Sequence, residues 1–214
     1  MSTVTHRGSA ASTELGVRRG PRTVAEAPAG RTTGWWGMML FICTESATFA
    51  AFLASYFYLR FADATNWPPV GDKPPHLVAP SIGTGVLILS CVPMALAVRA
   101  AAREKRALHF MLLFVAMCGG LAFIAMQGLD YVQEYPASTI SKDAYGSLLY
   151  SITGLHAFHV LLGVFMLLLL LGGTALRPIS RARAGSARIV AMYWYFLSVL
   201  AVAVFSTVYI SPYL

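Results

Sequence analysis

Charge is what this chain has least of. Asp, Glu, Lys and Arg make up 12% of its 214 residues, against about 25% in a soluble domain, while 57% are hydrophobic and the mean hydropathy is +0.64. A soluble globular domain is excluded, and the net charge of +7 becomes a matter of membrane topology rather than nucleic-acid binding. Cysteine is scarce as well. Cys43, Cys91 and Cys118 are odd in number, all fall in apolar runs, and form no C-x-x-C or Cys/His metal spacing, so they read as small packing residues. Period-two alternation is missing, which excludes a β-barrel. No internal repeat is visible, which argues against an inverted-repeat transporter.

What remains is five apolar runs: Trp35–Leu59, Ser81–Val98, Leu108–Leu129, Ala144–Leu176 and Ile189–Leu214. Each meets or approaches the roughly 20 residues that cross about 30 Å of hydrocarbon. The second is short, and the fourth is long enough to project or tilt. The fold class is therefore all-α, a polytopic bundle of five transmembrane helices spanning residues 34–214. Residues 1–33 are rich in Gly, Ser, Thr, Ala and Arg without an apolar period, and read as a disordered basic arm with no signal-peptide core. Thirteen of the sixteen Lys and Arg fall in that arm and in the second and fourth connections. The positive-inside rule then puts the N-terminus in the cytoplasm and the C-terminus outside.

Glu45 is the one formally charged side chain inside those runs. A carboxylate near a bilayer centre costs at least about 2.5 kcal/mol, so it is either used or well partnered. It heads a stripe of Glu45, Phe49, Phe52 and Tyr56, beside rows of small residues (Ala47, Ala51, Ser55; Ala50, Ala54) that let another helix approach closely. The functional reading is a proton acceptor, or an anchor beside a proton path; the other is a carboxyl that only fixes packing. Glu45 is expected to face the interior, with His156 or a hydroxyl in reach.

His156 and His159 lie three apart on the fourth run and share a face. Haem ligation needs ligands from opposite sides of the iron. The other span histidine, His109, lies at a different height, so both histidines read as hydrogen-bonding within the bundle, and no metal is expected. Trp67, in the Pro68-Pro69 turn, is expected at headgroup level. Gln127 and Glu134 are expected to anchor the outer end of the third helix, or to bind water or a neighbouring subunit there.

These pieces resemble subunit III of the haem–copper oxidases. The motifs are Leu40-Phe41-Ile42-Cys43-Thr44-Glu45 with Tyr56-Phe57-Tyr58-Leu59-Arg60; Trp67-Pro68-Pro69 with Gly71; Gln127 with Glu134-Tyr135; and Gly154-Leu155-His156-Ala157-Phe158-His159-Val160. Length and five helices match the bacterial form. The resemblance implies a bacterial plasma-membrane subunit with no haem or copper of its own. Those cofactors would belong to partner subunits I and II, with this chain braced on subunit I, holding phospholipid and sustaining proton uptake. Phospholipid is expected in a cleft between helices 1–2 and helices 3–5, with Arg99, Arg103 and Arg188 as headgroup candidates. The last helix departs from the family's Tyr-Trp-His-Phe-x-Asp-x-x-Trp, with Tyr195, Ser198 and Ala201 replacing His, Asp and the second Trp, which suits a divergent branch in an unusual respiratory supercomplex. Two alternatives stay open: a subunit III-like accessory protein of nitric oxide reductase, and a small proton-coupled transporter.

Overall fold

The computed structural model describes residues 32–62, 77–134, 144–176 and 180–213. Residues 1–31 of the basic arm, Trp67 with its proline turn, and the side chain of Glu134 lie outside the described residues. Six α-helices follow in order: α1 Thr33–Ala62, α2 Val78–Leu89, α3 Cys91–Ala102, α4 Arg106–Glu134, α5 Ala144–Leu176 and α6 Arg181–Phe205. A π-turn at Ser206–Ile210 and a 3-10 turn at Ser211–Tyr213 close the described chain. With α2 and α3 counted together, five helices are long and apolar enough to cross a membrane, and there is no strand among the described residues.

The second span is longer than its apolar run and is bent. It covers Val78–Ala102, divided at Ser90. Pro93 has no N–H to give the Leu89 carbonyl, and its ring crowds that turn. The ladder nevertheless continues around the bend, from Ser90 N–H to Val86 O at 2.9 Å and from Met94 N–H to Ser90 O at 3.2 Å. The helix is kinked rather than broken. Trp194 of α6 fills the bend and donates its indole N–H to Ser90 Oγ at 2.9 Å.

The packing differs from the expected division into helices 1–2 and 3–5. Helix α1 packs on α5 and α6, while α2 and α3 pack on α4 and α6. The broad groove therefore lies between α1 and α5, about 710 Å³ in volume, lined by Ala54, Ser55, Tyr58, Ala144, Ser147 and Leu148. Helix α5 carries a long buried face. Its buried residues Leu149, Ile152, His156, His159, Gly163, Leu167, Leu170 and Thr174 recur at steps of three and four, which makes one continuous seam. Helix α1 is the opposite case, with only Phe49 and Tyr56 fully buried. Of the cysteines, only Cys91 packs, against Ser198 Oγ at 3.0 Å; Cys43 and Cys118 are exposed on helix flanks.

The α3–α4 turn ends in a Schellman motif. Lys105 N–H reaches Ala100 O at 3.0 Å and Glu104 N–H reaches Ala101 O at 3.1 Å. Glu104 takes the left-handed position with φ of 57°, which costs a side-chain-bearing residue roughly 1–2 kcal/mol. Glu104→Gly should therefore stabilise the purified protein by about 1 kcal/mol. A thermal midpoint that stays put or falls would contradict this.

Candidate functional site

The expected stripe of α1 does face the bundle: Phe49 and Tyr56 are buried, Glu45 and Phe52 half-buried. The small residues Ala47, Ala50, Ala51, Ala54 and Ser55 are all exposed on the same helix, so nothing within the described chain occupies the rows that invite close packing.

Glu45 is paired, but with His159 rather than His156. Glu45 Oε2 lies 2.8 Å from His159 Nε2, and the side chains are 21% and 5% exposed. His159 Nδ1 lies 2.7 Å from the Leu155 carbonyl oxygen. A carbonyl only accepts, so Nδ1 must carry a proton. One further proton then lies between Nε2 and Oε2: either a carboxylic acid donates to a neutral ring, or an imidazolium donates to a carboxylate. The pair is neutral overall in both cases, which suits a low-dielectric site. It can also pass or accept a proton with little movement of heavy atoms. Tyr193 of α6 donates to the His159 carbonyl at 3.3 Å, and Phe49 meets the His159 ring edge-on at 5.4 Å between centroids.

His156 is 2% exposed, wedged between Phe123 and Phe49 at 5.2 and 6.4 Å. Neither ring nitrogen has a hydrogen-bond partner among the described residues. The two histidines thus share a helix face but not a role. One turn of α5 puts His159 level with Glu45 and His156 among aromatic rings.

A second polar centre was missed in the sequence. Asp130 lies one residue beyond the third apolar run, yet it is helical. Helix α4 continues to Glu134 and Asp130 is 1% exposed within it. Its Oδ2 accepts from Tyr209 Oη at 2.6 Å and from Gln127 Nε2 at 3.2 Å, and Gln127 Nε2 is 3.3 Å from Tyr209 Oη. The acidic partner of Gln127 is therefore Asp130. The signals were present: Gln127 and Asp130 are three apart on one helical face, and no helix breaker follows Gly128 before Pro136. Tyr209 reaches Asp130 from the π-turn, a widened turn of the kind that re-aims side chains at functional positions.

Of the headgroup candidates, Arg99 and Arg103 are exposed one turn apart at the end of α3. Arg188 lines a groove of about 530 Å³ with Glu104, Ser180 and Ala184. Ala101 and Ala102, beside Arg103 at the end of α3, line that same groove. Of the residues that replace the usual motif of the last helix, Tyr195 points outward. Ser198 is buried and donates to the Trp194 carbonyl at 3.1 Å beside the kink, and Ala201 is buried.

Fold and polar centres define a polytopic helical membrane protein whose two acids within the spans, Glu45 and Asp130, are each matched by polar side chains. Among the described residues no three His, Cys, Asp or Glu side chains converge as metal ligands do. The chain belongs to the cytochrome c oxidase subunit III family, which matches residues 25–213. It is 30% identical over 174 residues to a Nocardia farcinica protein named "Probable cytochrome c oxidase subunit 3", covering 81% of this chain and 85% of that one. A Mycobacterium leprae protein of the same name is 29% identical with the same coverage. The "Cytochrome c oxidase subunit 3" of Strongylocentrotus purpuratus is 31% identical over 180 residues, covering 81% of this chain and 68% of that one. Family membership makes the chain part of an oxidase complex of respiratory electron transport; a nitric oxide reductase accessory or a transporter is not favoured.

Proposed function

We propose that this chain is the non-catalytic third subunit of a proton-pumping terminal oxidase in a bacterial plasma membrane, with its N-terminus cytoplasmic. Haem and copper belong to partner subunits I and II. This chain braces subunit I, holds phospholipid and supports proton uptake. The exposed small-residue rows of α1 suit close packing against another subunit's helix, and the apolar groove between α1 and α5 suits acyl chains.

The observation that carries the proton role is the Glu45–His159 contact with its tautomer fixed by Leu155. Glu45→Gln keeps a hydrogen bond, because the amide N–H donates to Nε2, but removes the exchangeable acid. The complex isolated in mild detergent should retain this chain together with haem, while oxygen reduction falls or the enzyme inactivates faster in turnover. Glu45→Ala should weaken retention as well, since it leaves His159 unpaired. If Glu45→Gln left rate and lifetime unchanged, the pair would be a packing device only. If no haem protein copurified with the wild-type chain, the subunit reading itself would fall.

A further inference from the structure

His156 is the observation that the Glu45 pair does not absorb. It is a buried imidazole on α5 with no protein partner for either nitrogen among the described residues. Leaving such a group unsatisfied costs roughly 1–3 kcal/mol. Phe49 and Phe123 meet the ring edge-on, and neither offers a polar atom.

His156 lines a small cavity where α2, α4, α5 and α6 meet. Its other polar liners are Thr84, Gln127 and Tyr209, and Phe123 and Ala201 supply apolar wall. The cavity volume is about 10 Å³, measured as room for the centre of a water-sized sphere, which is close to what one molecule needs. A buried water also needs two to four polar partners, and four side chains border this site. An apolar ligand would leave His156 unsatisfied, and anything larger than water would not fit.

We propose that this cavity is a binding site for a single structural water that bonds His156 to the Gln127–Tyr209–Asp130 cluster. Tyr209 spends its proton on Asp130, and Gln127 directs its amide N–H groups at Asp130 and Tyr209. The Gln127 side-chain carbonyl and the Thr84 hydroxyl are therefore the groups left to meet the water. One molecule then joins two polar centres on four helices into a continuous network, separate from the Glu45–His159 pair.

The test uses the full chain in its purified membrane complex. A density map fine enough to resolve single waters should show one peak within hydrogen-bond distance of a His156 ring nitrogen and of Gln127 or Thr84. Ala201→Val, which fills the cavity, should abolish the peak and lower the thermal midpoint by several degrees. In a His156→Leu background, where no water is needed, the same substitution should cost little further. Ala201→Ser should instead place its own hydroxyl on His156 and preserve the midpoint. The proposal is overturned by a cavity without density in a map that shows other buried waters, or by an Ala201→Val penalty equal in both backgrounds. If Ala201→Val does not fold, the wild-type map and the Ser variant decide alone.

Discussion

Gly120→Leu should abolish the folded protein. A Cβ at this position would lie 2.5 Å from Trp194 Cη2 and 2.9 Å from Val164 Cγ2. Trp194 is wholly buried and pinned by its bond to Ser90, so the ring cannot swing aside without vacating the kink of the second span. Even Gly120→Ala should cost about 1–3 kcal/mol as overpacking. The neighbouring Gly119 is equally constrained from the other side, with an added Cβ 2.6 Å from Ser90 Cβ. The two glycines let α4 meet α2 and α6 at one level. Gly128→Leu is the control, because nothing lies within 4 Å of the Cβ there. Yield of folded protein after detergent extraction should separate the variants clearly. A Gly120→Leu protein that extracts and melts like the wild type would show that the helices can part without loss.

Asp130→Ala should be the most damaging polar substitution. It removes the acceptor of a 2.6 Å bond from Tyr209 and a 3.2 Å bond from Gln127, both buried. Hydrogen bonds to an acidic oxygen are worth roughly 1.5–3 kcal/mol when charged, so the combined loss is about 3 kcal/mol. Asp130→Asn keeps a side-chain carbonyl to accept and should cost much less. Tyr209→Phe should fall between them. The comparison is a set of thermal midpoints on the assembled complex, and an order with Asn worse than Ala would contradict the assigned donor directions.

The five spans and the inward stripe of α1 were legible because both follow from periodicity and from the cost of charge in hydrocarbon. Three features were not. The His159 partner depends on the height of α1 against α5, a tertiary quantity that two histidines on one face leave open. Asp130 looked like loop because it borders an apolar run, although the run ends before the helix does. The placement of α1 beside α5 and α6 is a choice among neighbours, and hydropathy carries no information about neighbours.

The sparse attachment of α1 has a consequence for biosynthesis. Glu45 meets His159 across 114 residues, and Arg60 meets the Ser211 hydroxyl across 151. Helix α1 therefore precedes in the chain both of the elements that hold it. Until α5 and the closing turns have followed, α1 must wait with an acid in hydrocarbon and its small-residue rows bare. A chain stalled in that interval differs from a finished one by an unpaired carboxyl on a loose helix.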